Sequence, residues 1–304
     1  MAAIRSNKSP LQQHDFLRRI GAQELFSPPM WRAAVTEMVA TACLVFALTT
    51  TIISCFESGQ TDPKLLVPVF IFISGFPLLV ATVPLTGGHM NPVFTFAAAL
   101  KGAVSAVRAL FYVVGQCLGA LIAFAVVRAT MDRATAVKYQ LGGCAIDGGG
   151  GGAGVGAGTA LALEFSCTFM LLYVAMPIFE ERRRRELGLA TVCAVVAVAY
   201  GLVVYVSMTV TGRAGYGGVG LHPARCWAAA MVYKGSLLKA HWVFWVGPFM
   251  ACVMYHMLSL ALPREELEKR EDEREEDPNL DKFKGDGSKE FEISNFKENA
   301  LGDQ

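Results

Sequence analysis

The sequence predicts an all-α membrane protein with six full spans and two half-length helices, arranged as an inverted repeat. Three observations carry this. Six apolar segments are long enough to cross a bilayer, which takes about 20 mostly apolar residues. They are 33–56, 65–86, 109–127, 159–179, 187–212 and 242–262. Two further apolar stretches, 91–100 and 222–232, are too short to cross. Each opens on a polar residue followed by proline, which suits a helix N-terminus because the missing N–H is no loss there. Finally, the two halves of the chain repeat each other.

The composition agrees. The chain has 304 residues, of which 53% are hydrophobic and only 17% charged, with a mean hydropathy of +0.41. Soluble domains carry about 25% charge. The net charge is +1, so no strong field points to nucleic acid. The charge sits at the ends and in short loops, and divides the chain into a polar segment 1–30, an apolar domain 31–262 and a charged tail 263–304. From Arg264 to Lys282 the tail holds ten acids and five bases, the pattern of a solvated charged helix running into disorder. Ser288 and Ser294 are candidate phosphorylation sites there, against a role in trafficking alone. The polar start lacks the apolar core of a cleaved signal peptide.

Orientation follows from the basic residues. Arg182, Arg183, Arg184 and Arg185 lie between spans four and five, Lys101 and Arg108 between spans two and three, and Arg5, Lys8, Arg18, Arg19 and Arg32 before span one. Six spans put all three groups, and both termini, on the cytoplasmic side.

Within domain 31–262, repeat one covers 31–130, an outer loop 131–158, and repeat two 159–262. Glu37 and Thr41 lie one helical turn apart in span one, as do Glu164 and Thr168 in span four. Asn91-Pro92-Val93 opens the first short helix and His222-Pro223-Ala224 the second; Gly115-Gln116 in span three matches Gly247-Pro248 in span six. The offsets are 127 (37 to 164), 131 (91 to 222) and 132 (115 to 247) residues. Three spans per half invert the second copy, which places a transport site at the midplane where two broken helices meet. Each N-terminus brings about half a positive charge and unpaired N–H groups. Positive ends at a constriction repel cations and let neutral molecules pass.

These residues resemble the major intrinsic protein family, the aquaporins and glycerol channels. The resemblance covers about residues 31–262 and rests on Gly88-His89-Met90-Asn91-Pro92, the repeated glutamate, Pro223-Ala224-Arg225 and the Trp-Val-Gly-Pro run ending at Pro248. Val93 in place of the alanine of the first box, and Cys226 directly after the pore arginine, are similar to the X intrinsic proteins of plants and fungi. The resemblance implies an aquaporin-like fold and a passive channel for small neutral solutes such as glycerol, urea, boric acid and hydrogen peroxide, with variable water passage. It also implies a homotetramer with a pore in each protomer, in the plasma membrane. No cofactor is implied, and no metal site.

It further implies an outer constriction built from Arg225, Ile71 (twenty before Asn91), Val219 (six before Arg225) and a residue of span five. That last member is Val210 counted back from Arg225, or Met208 counted forward from Gly201. All the candidates beside Arg225 are apolar. An amphipathic ring of this kind favours molecules with one carbon face and one hydroxyl face. A charge at membrane depth costs from about 2.5 kcal/mol upward and is usually functional, which fits selectivity better than a headgroup contact.

His222 is the main departure, since the family has Asn there. A neutral His can cap the helix and donate to a permeant only with Nδ1 accepting and Nε2 donating. Three readings stay open: a conducting pore with altered selectivity, a non-conducting paralogue, and a pH gate, since His titrates in the right range. Glu37 and Glu164 are expected to brace the two loops by accepting backbone N–H groups, with a proton relay as the alternative. His89 and Gln116 are expected to brace loop and packing. Gly115 and Gly119 form a close-packing GxxxG. Cys226 is either a small filler beside Arg225 or a thiol facing the pore mouth. Cys144, in the outer loop, could form an intersubunit disulfide, against which stands the lack of an obvious partner in the other outer loops.

Other functions lack equipment. The five glycines Gly148–Gly152 come without the Lys and Ser/Thr of a phosphate-cradling loop. A coupled transporter needs further intramembrane acids or Lys, and His256 alone makes no enzyme site. A non-conducting structural or regulatory role is kept alive by His222.

Overall fold

A computed structural model of the chain describes residues 20–59, 63–146, 154–211 and 216–261. The chain divides into two compact units, Met1–His256 and Met257–Gln304; of the second, the described part is helical. The expected charged tail, most of the polar N-terminal segment and the run of five glycines lie outside the described residues.

Six helices are long and apolar enough to cross a membrane: α1 (Pro28–Glu57), α2 (Leu66–Thr86), α4 (Ala106–Thr130), α6 (Ala157–Ile178), α8 (Leu189–Val210) and α10 (Val243–Ala261). Two short helices follow the polar-Pro pairs, α3 (Pro92–Leu100) and α9 (Pro223–Tyr233). Two others are surface pieces, α5 (Arg133–Lys138) and α7 (Glu181–Leu187). No strand occurs among the described residues.

Local chemistry sets the boundaries. Pro28 and Pro29 start α1, five residues before the apolar run suggests, because proline is suited to a helix's first turn. Ser105 caps α4 by accepting from Arg108 N, and Asp132 caps α5 by accepting from Ala134 and Thr135 N. Span five is expected from Leu187, but its helix starts at Leu189, since Gly188 has φ 78° and separates it from α7.

Small residues bring the long helices together, which is how helices associate without a hydrophobic drive between them. α1 packs on α4, and α2 on α8. A Cβ on Gly115 would lie 2.8 Å from Ala34 O, one on Gly119 would strike Met38 O, and one on Gly201 would lie 2.7 Å from Pro68 O. In the second half a Cβ on Gly247 would lie 2.7 Å from Glu164 Cβ. Side chains such as Val35, Val39, Ile73, Leu110, Val198 and Leu202 point outward, the belt that hydrocarbon would cover.

The short helices are buried within this frame. Val93 and Ala97 of α3 pack with Leu172, Met176, Cys252 and Tyr255. Ala224, Ala228, Ala229 and Ala230 of α9 pack with Val45 and Phe124. α3 and α9 also touch each other. Irregular backbone at membrane depth is tolerated only inside protein or beside water, and the two loops feeding these helices have both.

Candidate functional site: two helix N-termini facing one lumen

The two loops end alike. Met90 and Leu221, just before the boxes, have φ 46° and 53°, a left-handed conformation that costs a residue with a Cβ about 1–2 kcal/mol. Both are buried. Their geometry turns each carbonyl toward the opposite half. Asn91 Nδ2 donates to Leu221 O at 2.8 Å, and His222 Nε2 meets Met90 O at 2.8 Å. The two boxes therefore hold each other reciprocally.

Each box side chain also caps its own helix. Asn91 Oδ1 accepts from Val93 N at 3.0 Å, and His222 Nδ1 accepts from Arg225 N at 3.1 Å. This pair of contacts fixes the imidazole tautomer. Nδ1 faces an N–H and must accept, so the proton sits on Nε2 and goes to the Met90 carbonyl.

Two fully buried carboxylates hold the strained loops. Glu37 Oε1 accepts from Thr86 Oγ1 (2.6 Å) and His89 N (3.0 Å), and its Oε2 accepts from Met90 N (2.6 Å) and Gln116 Nε2 (2.9 Å). Glu164 accepts from Gly220 N at 2.5 Å and Leu221 N at 3.1 Å. His89 Nδ1 meets Thr95 Oγ1 at 3.1 Å, and Gln116 Nε2 donates to the same hydroxyl at 2.9 Å.

Two cavities meet at the boxes. The smaller, about 50 Å³, is lined by Asn91, His222, Gly88, Val196 and Phe179 among others. That is room for roughly three or four waters. The wider, about 510 Å³, is lined by Arg225, Val219, Met208 and Lys138 among others. Glu57 lies 2.6 Å from Lys138 Nζ, and that hydrogen bond holds the ammonium above the usual lysine range. Leu48, Ile71 and Tyr200 line both cavities. No carboxylate lines either one among the described residues.

Three comparisons with known proteins agree with this architecture. The family model described as major intrinsic protein matches residues 24–258. This chain belongs to the major intrinsic protein family. Among curated members of the family, "Aquaporin PIP1-1" of Arabidopsis thaliana is 30% identical over 251 residues, covering 79% of this chain and 83% of that one. "Probable aquaporin PIP2-5" of the same plant is 32% identical over 254 residues, covering 79% and 85%. In fold the chain resembles the X-ray structure of the aquaglyceroporin from Plasmodium falciparum, with a TM-score of 0.60 at 16% identity over 75% of this chain and 96% of that one. Membership makes this an integral membrane channel for water or small solutes, and not an enzyme.

Two sequence expectations need correction for this member of the family. Val210 does not face the lumen. It is 61% exposed on the outer surface of α8, whereas Met208 is 3% exposed and lines the wider cavity. Val196, Tyr200, Val204 and Met208 fall four residues apart on one helical stripe, and Val210 lies off it. Counting back from Arg225 fails because the stretch from α8 to the box is longer than the common pattern. Cys226 is not a free thiol either. It is bonded to Cys144, which ties the loop after α5 to α9. The pairing escaped sequence reading because the two residues lie 82 apart, one of them in a helix.

Arg225 is held from the side of that loop. Its Nη2 donates to Gly142 O and its Nη1 lies 3.3 Å from Cys144 Sγ. Its buried Nε has no protein partner. Tyr200 is among the lumen residues that sequence reasoning missed, and of those shared by both cavities it is the polar one. The signal was available in its place on the stripe of Val196 and Val204.

Proposed function

We propose that the channel passes small neutral solutes of the glycerol, urea, boric acid and hydrogen peroxide kind ahead of water. The observation that carries this reading is the company of Arg225: the other cavity-lining members of the expected outer constriction are Ile71, Met208 and Val219. A guanidinium opposite three apolar side chains gives a solute donors on one face and carbon contact on the other. A strongly hydrated ion gains too little there to replace its water. Val93 and the Arg225-Cys226 pair support assignment to the X intrinsic proteins. The basic residues support cytoplasmic termini. The likeness to plant aquaporins of the PIP type supports the plasma membrane, and membership in this family supports a homotetramer with one pore per protomer.

A second reading, a closed or gated paralogue, rests on His222, whose ring lines the smaller cavity with both nitrogens engaged by protein. Stopped-flow light scattering on proteoliposomes separates the two. Native protein should speed entry of glycerol and urea over empty liposomes, and His222→Asn should shift the ratio among solutes. A native protein equal to empty liposomes, opened by His222→Asn, would replace the first reading with the second.

A further inference from the structure

The midpoint of this lumen is unequal in its chemistry. A neutral amide carries two N–H hydrogens and a neutral imidazole one. Asn91 uses one hydrogen on Leu221 O and turns the other toward the lumen, where the Tyr200 oxygen is in reach. His222 uses its single hydrogen on Met90 O and its single acceptor on Arg225 N. The second box therefore presents no hydrogen-bonding group to a molecule in the lumen. The residues shared by both cavities are Leu48, Ile71 and Tyr200, so every permeant passes between them. Of the three, only Tyr200 is polar. Its hydroxyl is within hydrogen-bonding reach of the Asn91 side chain and feels the charge of Arg225. Gly201, next along, packs directly on the Pro68 backbone, which fixes α8 at this level.

We infer that Tyr200 is a specificity-determining residue of the pore, whose hydroxyl supplies the central contact that His222 has withdrawn. A solute leaving the wider cavity must shed water to pass two aliphatic side chains and a ring. The Tyr200 hydroxyl can both donate and accept, so it serves a solute hydroxyl, amide or water alike, and it shares that solute with the neighbouring Asn91 amide. The ring narrows the passage while its tip keeps the passage wet. This inference rests on the conducting reading proposed above.

Tyr200→Phe removes the hydroxyl and keeps the ring. The test compares glycerol and water permeability of proteoliposomes holding native protein, Tyr200→Phe, His222→Asn and the double variant, with size-exclusion profiles as the folding control. Loss of one neutral hydrogen bond at the barrier should slow permeation about three- to tenfold. In the His222→Asn background an amide hydrogen is restored to the lumen, and the same removal should then slow permeation less than about twofold. Tyr200→Phe within threefold of a conducting native protein overturns the inference and leaves the conducting reading intact. An equal loss in both backgrounds overturns the link to His222. A native protein no faster than empty liposomes overturns the conducting reading and this inference with it.

Discussion

Glu37→Gln tests whether the buried carboxylates hold the pore loops in their strained shape. Each Glu37 oxygen takes two hydrogen bonds, and three of the four donors are N–H groups that cannot accept. The least costly placement of the new amide nitrogen is on the Oε1 side, where Thr86 can rotate to accept. His89 N then loses its partner, and an orphaned buried N–H costs about 1–3 kcal/mol. The two bonds left on the other oxygen fall from charge-assisted to neutral strength, losing about 1 kcal/mol each. The sum is about 3–5 kcal/mol. Glu164→Gln orphans one N–H and weakens one bond, so about 2–4 kcal/mol is expected. Unfolding by SDS in mixed micelles measures both, and liposome permeability should fall with stability because the Met90 and Leu221 carbonyls orient the boxes. A cost below about 1 kcal/mol for both variants, or a larger cost for Glu164→Gln, would refute the bracing argument.

Met208→Ala should widen the ring around Arg225 and raise glycerol and urea permeability severalfold, while Val210→Ala, on the outer face, should leave permeability unchanged in the same stopped-flow assay. Neither Cys144 nor Cys226 should take up maleimide in the unreduced protein; after a dithiol reductant, mass spectrometry should find both labelled, and mercurials should act at the pore mouth only then. Permeability should be flat between about pH 5.5 and 7.5, the range in which an ordinary histidine titrates. Protonation would turn His222 Nδ1 into a donor facing Arg225 N–H, so a steep change across this range would revive the pH gate.

The spans and the boxes were legible because they depend on local signals. Apolar length defines a span, and Asn or His before Pro defines a capped half-helix. The paired offsets then exposed the inversion. What stayed hidden depends on registers between distant segments. Counting back from Arg225 to span five assumed a fixed loop length, which α8 does not respect; the count forward from Gly201 reached Met208, and the stripe of Val196, Tyr200, Val204 and Met208 would have decided for it and found Tyr200 as well. The Cys144–Cys226 bond joins segments 82 residues apart, beyond any local pattern. That His222 would cap through Nδ1 was readable as chemistry, but the sequence held nothing to say that Nε2 would turn to Met90 O instead of the lumen.

The placement of charge bears on what can cross. Glu37 and Glu164 are fully buried and line neither cavity. Their oxygens are taken up by the N–H groups of the loops and do not themselves face a permeant. Among the described residues, the charged side chains that line the wider cavity are Lys64, Lys138 and Arg225, all cations, Lys138 being paired with Glu57, and the two helix N-termini add partial positive charge at the boxes. A cation meets lining cations in the wider cavity and then the two helix ends, and among the described residues no lining carboxylate replaces its water. An anion would find Arg225, but beyond it stand Leu48 and Ile71, which offer nothing to a desolvated charge. Neutral molecules alone avoid both penalties. The same reasoning explains how the fold can accept His222. A neutral imidazole keeps the cap and the latch to Met90 O without adding charge, so the exchange of Asn for His changes the hydrogen bonds offered to a permeant while leaving the barrier to ions in place.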